Sequence, residues 1–295
     1  MSLRGLGIAL ATPFKEDFSV DFDALEALVE YQIENGADYL VVLATTSEAV
    51  TLTTPERNQV ARFVCEKVNN RVPLVIGMSD NCTMRLLNHF KEVDLTGYSA
   101  ILTVVPYYNK PSQEGIFQHF RAIAEASPLP IVLYNVPSRT GQNMEAATTL
   151  RLAREIPEKI LGIKEASGKL EQITEILQNK PEGFQVLSGD DALTLQLIRM
   201  GAEGVISVVG NALPKEFGDL VHEALANPSN PQLDETNTLL NPLLKALFAE
   251  GNPSGLKCLL AQLNMAQDVL RLPLVPVGDV TRQTIATTLS AIKNR

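Results

Sequence analysis

Short runs of apolar residues alternate along most of the chain with longer segments of helical periodicity. The short runs are apolar almost throughout, which is typical of parallel strands covered on both faces. Between them, apolar residues recur every three or four positions, as on one face of a helix. The pattern predicts eight strands, at residues 6–14, 39–46, 74–79, 100–107, 131–136, 160–166, 184–189 and 204–209.

Eight strand and helix repeats within residues 1–227 predict an α/β fold, a (β/α)₈ TIM barrel. Helix ends carry the expected residues: the segment that starts at Thr53 has Pro55 in its first turn, and the first helical pattern stops at an Asn-Gly pair. A doubly wound open sheet is the alternative, but no GxGxxG motif follows the first strand. After residue 227 the alternation stops, and residues 228–295 predict a small C-terminal domain of three helices.

Composition narrows the class of function. The 295 residues are 45% hydrophobic and 20% charged, as in an average globular protein, and the net charge is −9. Because the chain has no block of basic residues, we expect neither a nucleic-acid surface nor a membrane-binding patch, and a small-molecule substrate is favoured. Cys65, Cys82 and Cys258 are far apart and the three histidines are scattered, so we expect no disulfide and no metal site.

The N-terminus lacks the charged and apolar regions of a signal peptide, and no apolar run reaches the ~18 residues of a membrane span. We therefore expect a cytoplasmic protein.

Active sites of such barrels form at the carboxyl ends of the strands. Polar residues at those ends are the candidates, except that Asp190 and Asp191 are predicted to cap the helix that follows them. The second, fourth, fifth and sixth strands contribute Thr45, Thr46, Ser47, Glu48, Tyr107, Tyr108, Asn109, Tyr134, Asn135, Arg139, Lys164 and Glu165.

Lys164 in the stretch LGIKEASG is the candidate nucleophile. Alone, a lysine at a strand end usually extends its amine to solvent or pairs with a carboxylate. Lysine, tyrosine, threonine and arginine at the same end of different strands instead suit carbonyl chemistry. A desolvated amine condenses with a ketone to an iminium, a phenol and a hydroxyl relay protons, and a guanidinium binds a carboxylate. This chemistry needs no cofactor.

The segments PYYNKPSQEG, LYNVPSRTG, GIKEASG and LSGDDA resemble the dihydrodipicolinate synthase (4-hydroxy-tetrahydrodipicolinate synthase) family, within the superfamily of Schiff-base-forming, pyruvate-dependent barrel lyases and aldolases. The resemblance covers essentially the whole chain. It implies condensation of pyruvate with L-aspartate 4-semialdehyde, the first committed step of the diaminopimelate and lysine pathway, without a metal. It also implies a homotetramer built as a dimer of dimers.

The resemblance also implies the catalytic roles. Lys164 would form the Schiff base with pyruvate, and Tyr134 would be the proton shuttle. Thr45 would link Tyr134 to Tyr108, which the neighbouring subunit of a tight dimer contributes.

Four further residues match substrate-binding positions of the family. Thr46 would hold the pyruvate carboxylate and Arg139 the carboxylate of aspartate semialdehyde. Gly189 and Ile206 would line the pocket through their backbones.

Two features depart from the family pattern. The usual Gly-Thr-Thr-Gly-Glu motif is Ala44-Thr45-Thr46-Ser47-Glu48 here, and loss of two glycines removes backbone freedom at the turn. The second departure concerns the lysine feedback site of some members, where Arg85 replaces a glutamate that meets the inhibitor's ammonium. We therefore predict weak or absent lysine inhibition. The matching positions are Ala49, Thr54, Arg57, Asn81, Arg85 and Tyr107.

Two alternatives remain from the sequence. One is another pyruvate-dependent aldolase, such as N-acetylneuraminate lyase or a 2-keto-3-deoxy sugar acid aldolase, which shares the lysine, tyrosine and threonine but lacks Arg139 in its PSRTG context. The other is a non-catalytic barrel that serves as a sensor or scaffold.

Overall fold

A computed structural model describes residues 2–294, in which eight parallel strands close into a barrel. Each strand pairs with its sequence neighbours, and the first pairs with the eighth. The predicted (β/α)₈ barrel is confirmed. The strands are β1 Gly5–Ala9, β2 Tyr39–Val42, β3 Leu74–Gly77, β4 Ala100–Val104, β5 Ile131–Asn135, β6 Ile160–Glu165, β7 Gln185–Ser188 and β8 Gly204–Ser207.

Helices cover the outside of the barrel and form the C-terminal part of the chain. Thr53 caps the second helix, and its side chain and that of Glu56 bond reciprocally to the backbone, which satisfies two free N–H groups. The helices are α1 Phe22–Glu34, α2 Thr54–Val68, α3 Thr83–Glu92, α4 Gln113–Ala126, α5 Pro137–Thr140, α6 Ala146–Glu155, α7 Leu170–Asn179, α8 Thr194–Arg199, α9 Pro214–Ala226, α10 Gln232–Phe248, α11 Ser254–Gln262 and α12 Asp279–Lys293.

Successive side chains of each strand point to opposite faces, so the strands contribute to two apolar layers. Leu133 and Ile163 belong to the layer between barrel and helices, whereas Val132, Tyr134 and Leu187 belong to the layer inside the barrel. Full burial of such a side chain stabilises the fold by about 1.5–3 kcal/mol. The same alternation decides which polar residues face inward at a strand end.

Several strands end earlier than predicted. β1 ends at Ala9 instead of residue 14, and β2 ends at Val42 instead of residue 46. The apolar pattern continues past each hydrogen-bonded ladder because residues such as Leu10 and Leu43 remain buried in the layer between barrel and helices. Residues Thr45–Ser47 form a 3₁₀ turn, and the segment PSRT forms the single-turn helix α5.

The three predicted C-terminal helices are present as α10, α11 and α12. α10 packs against α9, α11 and α12, and α11 also contacts the 3₁₀ turn Val209–Asn211 that follows β8. Within residues 2–294, no helix is both long enough and apolar enough to cross a membrane.

Candidate functional site

Lys164 and Tyr134 lie side by side near the carboxyl ends of β6 and β5. The two residues are register partners, and both are nearly buried, with exposures of 4% and 7%. The Lys164 ammonium lies 4.5 Å from the centre of the Tyr134 ring. Among residues 2–294, the ion pairs of the structure do not include Lys164. A buried lysine without a carboxylate partner is unusual in a merely structural position.

Gly189, just after β7, leaves room for the lysine. A Cβ added at Gly189 would lie 3.1 Å from both Cγ and Cε of Lys164. Ile206 of β8 is fully buried in the layer inside the barrel, together with Tyr134. The structure therefore brings these two predicted positions to the same barrel interior as Lys164.

A cavity of about 430 Å³ opens at this end of the barrel. Thr45, Tyr134 and Arg139 line it, as predicted from the strand ends, and Tyr107 and Asn252 are also part of its wall. Lys164 is not part of that wall, but its ammonium lies over the ring of Tyr134, which is.

The turn after β2 tolerates the two residues that replace glycines. Ala44 has an extended backbone, and the left-handed residues of the turn are Leu43 and Glu48, with φ of 58° and 51°. The Ser47 hydroxyl donates to the carbonyl of Leu10 at 2.7 Å and accepts from the Ala44 N–H at 3.2 Å. Neither position adopts a positive φ, so this turn does not need a glycine at residue 44 or 47.

The close approach of this turn to β3 instead depends on Gly77. A Cβ at Gly77 would lie 2.3 Å from the carbonyl oxygen of Leu43 and 3.0 Å from Cα of Ala44. Such distances exclude any side chain, so the glycine that this turn requires is on the neighbouring strand.

Arg139 and Thr46 are joined through Asn252, a residue the sequence did not single out. One Arg139 guanidinium nitrogen donates to the carbonyl of Asn252 at 2.9 Å. The Asn252 side-chain amide donates to the hydroxyl of Thr46 at 3.0 Å. Thr46 and Asn252 are buried, with exposures of 2% and 5%.

Tyr108 is apart from the other predicted catalytic residues. Its side chain is 88% exposed, its φ is 73°, and the cavity wall within residues 2–294 includes Tyr107 but not Tyr108. A left-handed conformation in a non-glycine residue costs about 1–2 kcal/mol, so the surroundings of this tyrosine must favour it.

A buried ion pair lies beneath the turn after β2. Lys257 of α11 pairs with Glu48, and the two side chains are 1% and 0% exposed. The Lys257 ammonium also donates to the carbonyl of Val269 at 2.9 Å and lies 3.9 Å from the centre of the Phe14 ring. Burial lowers the pKa of Lys257 to about 8, although the charge of Glu48 opposes that change.

Arg271 extends this contact. Its backbone N–H donates to Glu48 at 3.1 Å, and its guanidinium donates to Glu56 at 2.6 Å. That hydrogen bond is the largest cause that lowers the pKa of Glu56 to about 2. Helix α11 and the segment that follows it are therefore joined to the turn after β2.

Glu165, to which the sequence assigns no role, faces away from Lys164. It is fully buried and accepts from the Ser167 N–H at 2.7 Å and from the Asn135 amide at 3.1 Å. Burial raises the pKa of its carboxyl, whereas these hydrogen bonds act in the opposite direction. Glu165 thus fixes the loop that follows the lysine strand.

The two aspartates after β7 have different partners. Asp190 caps the 3₁₀ turn that follows it, as predicted, and accepts from the Ala192 N–H at 2.9 Å. Asp191 does not cap that turn: its buried carboxylate accepts from the N–H groups of Val208 and Val209 at 3.0 and 2.7 Å. Burial raises its pKa to about 6.

Among residues 2–294, no cluster of three or more histidine, cysteine, aspartate and glutamate side chains is arranged to hold a metal ion. The site consists of phenols, hydroxyls and a guanidinium around an open cavity, with the Lys164 amine beside the Tyr134 ring of its wall. Such groups suit acid–base and nucleophilic chemistry on a small carbonyl compound.

The closed parallel barrel, with its candidate residues at the carboxyl ends of the strands, places the chain among the α/β-barrel enzymes. A sequence model of the Dihydrodipicolinate synthetase family matches residues 2–292. The chain belongs to this family.

Individual relatives match the sequence of this chain along almost their full length. The 4-hydroxy-tetrahydrodipicolinate synthase of Phocaeicola vulgatus is 51% identical, over 99% of this chain and 97% of the relative. That of Porphyromonas gingivalis is 47% identical, over 99% and 98%. A solved structure of the chloride-inhibited dihydrodipicolinate synthase of Acinetobacter baumannii, complexed with pyruvate, is 37% identical with a TM-score of 0.95, and covers 99% of each chain.

Proposed function

We propose that this chain condenses pyruvate with L-aspartate 4-semialdehyde to give 4-hydroxy-tetrahydrodipicolinate, with Lys164 as the covalent centre. The observation that carries the proposal is a buried lysine that has no ion-pair partner among residues 2–294 and lies 4.5 Å from the ring of a tyrosine at the neighbouring strand end. Relatives that carry this activity by name match nearly the whole chain.

In the proposed mechanism, the Lys164 amine attacks the keto carbon of pyruvate and water leaves, which gives an iminium. The iminium withdraws electrons, so the methyl group loses a proton to give an enamine. The enamine carbon attacks the aldehyde carbon of the semialdehyde, whose oxygen takes up a proton. The semialdehyde's amino group then attacks the iminium carbon and displaces the lysine amine, which closes the ring.

Side chains around the cavity would move the protons and hold the substrates. Tyr134, with its phenol beside Lys164, serves as proton shuttle, and Thr45 on the cavity wall relays the proton. Arg139 binds the semialdehyde carboxylate with its planar guanidinium, and Thr46 binds that of pyruvate. The backbones of Gly189 and Ile206 line the pyruvate pocket, and the proposed reaction uses no cofactor.

Borohydride trapping with pyruvate, followed by mass mapping, tests the covalent step. We expect a reduced adduct on Lys164 and none on Lys159, which precedes the opposite end of β6 and donates to the Ser127 carbonyl at 2.9 Å. Lys164→Ala should abolish trapping, whereas Lys159→Ala should retain it. No adduct on Lys164 would exclude the mechanism.

A coupled assay with aspartate semialdehyde tests the second substrate. We expect turnover that Arg139→Ala reduces mainly through the semialdehyde KM. Trapping of pyruvate without semialdehyde turnover would instead assign the chain to another pyruvate-dependent aldolase.

We further propose a homotetramer, a dimer of dimers in which Tyr108 completes the proton relay of the neighbouring subunit. Its 88% exposure and left-handed backbone support a role outside its own chain. The proposed setting is the cytoplasm, with which the three free cysteines are compatible.

Mixing inactive variants tests the exchange of Tyr108. In a dimer of Tyr108→Ala with Lys164→Ala, one site has both side chains intact if the tyrosine acts in the partner's site. Random reassembly should then restore about a quarter of wild-type activity. If Tyr108 acts within its own chain, mixing restores none. Sedimentation analysis of the wild type checks the tetramer.

A further inference from the structure

Asn252 connects the barrel to the C-terminal helices at the cavity. It lies in the loop between α10 and α11, lines the cavity, and is only 5% exposed. Its backbone carbonyl accepts from Arg139 and its side-chain amide donates to Thr46. One residue therefore contacts both groups that the proposed function assigns to substrate carboxylates.

The contact with Thr46 controls the direction of that hydroxyl. A threonine hydroxyl has one proton to donate and two lone pairs to accept with. Because the Asn252 amide occupies one lone pair at 3.0 Å, the Thr46 proton stays available for a substrate carboxylate. Hydrogen bonds in such a chain strengthen one another, which makes the hydroxyl a better donor.

The contact with Thr46 holds the Asn252 side-chain amide in place, although not every polar atom of that amide has a hydrogen-bond partner within residues 2–294. Within residues 2–294, the Asn252 side-chain oxygen is buried without a hydrogen-bond partner. A buried unpaired acceptor is costly, so the hydrogen bond to Thr46 is what fixes the direction of the Asn252 amide.

We propose that Asn252 is a positioning residue that orients the Thr46 hydroxyl for the pyruvate carboxylate and holds the Arg139 guanidinium for the second substrate. The inference rests on the proposed function. Of the two contacts, that with Thr46 uses the Asn252 side chain and that with Arg139 uses its backbone, so side-chain substitution should affect pyruvate and leave the semialdehyde KM nearly unchanged.

Two substitutions separate the roles of the amide. Asn252→Ala removes the donor, and we expect the pyruvate concentration for half-maximal trapping to rise roughly 2- to 12-fold, the factor for one hydrogen bond of ordinary strength. Asn252→Asp keeps the shape but replaces the donor with an anionic acceptor. It should weaken pyruvate binding further, because Thr46 then donates to the new carboxylate and like charges face each other.

Asn237→Ala is the matched control. Asn237 lies on α10 in the same C-terminal part of the chain, its side-chain oxygen is also buried without a partner, and it does not line the cavity. We expect wild-type pyruvate dependence in this variant. An equal effect of Asn237→Ala and Asn252→Ala would overturn the proposal, since it would indicate a general effect on folding.

A double-mutant cycle with Thr46→Val distinguishes positioning from a structural role. If Asn252 acts through the Thr46 hydroxyl, adding Asn252→Ala to Thr46→Val should change pyruvate binding no further. If the double variant instead weakens pyruvate binding by the product of the two single effects, the proposal is overturned.

Wild-type trapping separates this inference from the proposed function. If the wild type traps pyruvate on Lys164 and Asn252→Ala has the same half-maximal concentration, the role of Asn252 is refuted and the proposed function stands. If the wild type traps none, the proposed function is refuted, and the role of Asn252 with it.

Discussion

Gly189→Ala should obstruct the lysine at the centre of the site. The added methyl would lie 3.1 Å from Cγ and Cε of Lys164 and 2.7 Å from Cβ of Ala166. Carbon atoms pack best at about 3.5–4.0 Å, so the lysine chain must retreat by roughly half an ångström. The substitution therefore displaces the amine without changing its chemistry.

Two costs determine how much Gly189→Ala lowers the stability and the rate of trapping. Overpacking of a tight interior costs about 1–3 kcal/mol of folding free energy. A reacting group that is misplaced by ~1 Å loses up to ~10²-fold in rate. For a smaller displacement we expect the rate of trapping with pyruvate to fall roughly 10-fold, to be measured as adduct formed on Lys164 over time, while thermal unfolding reports stability.

Two controls isolate the contact with the lysine. Adding Ala166→Gly to Gly189→Ala removes the shortest contact but keeps that with Lys164, so stability should recover and trapping should stay slow. Gly210→Ala places a methyl 2.4 Å from the end of the Ile8 side chain and does not meet Lys164. It should lose stability but trap at the wild-type rate. Wild-type trapping by a folded Gly189→Ala would refute the reasoning.

Three further predictions concern regulation and stability. Submillimolar L-lysine should leave the initial rate above half, because Arg85, held by Asp80 at 2.8 Å, is a cation at the position where the family resemblance implies a glutamate that meets the inhibitor's ammonium; half-inhibition would contradict this. Burial lowers the pKa of His119 to about 4, so its contribution to stability is lost as pH falls from ~6.5 to 4. Asp191, whose pKa is raised to about 6, acts in the opposite direction, so the test is the difference in urea unfolding between the wild type and His119→Gln, which should change by about 3 kcal/mol over this range. Lys257→Met leaves the Glu48 carboxylate without its ion-pair partner and should lower the free energy of urea unfolding by about 3–5 kcal/mol. Adding Glu48→Gln to the same chain should restore most of this loss. If the losses of the two single variants add in the double variant, the prediction is contradicted.

The barrel was predictable because each strand has its own local pattern. Buried parallel strands are apolar on both faces, and each is followed by a helix with a 3.6-residue period, so no distant contact is needed to recognise them. The strand ends were less predictable. Apolar residues such as Leu10 and Leu43 continue beyond the ladder because they are buried in the layer between barrel and helices, and hydropathy does not distinguish them from strand residues.

Residues at strand ends were also predictable as a group, because a closed parallel barrel brings all carboxyl ends together. This places Lys164 beside Tyr134 and puts Thr45 on the same cavity. The barrel pattern does not predict which side chains from outside the strand and helix repeats reach the site. The contact of Asn252 with Thr46 joins residues 206 positions apart, and no strand or helix period encodes it.

Lys257 nevertheless has a sequence signal of the same kind as Lys164. It stands within the apolar run GLKCLL of α11, whose residues Ser254 to Leu260 are all buried, just as Lys164 ends an apolar strand. A lysine inside such a run must either find a carboxylate or serve chemistry. In Lys257 the carboxylate is Glu48, whereas Lys164 is not among the ion pairs of residues 2–294. The presence or absence of a counter-ion, which only the fold reveals, separates the lysine that fastens the turn after β2 from the one proposed to react.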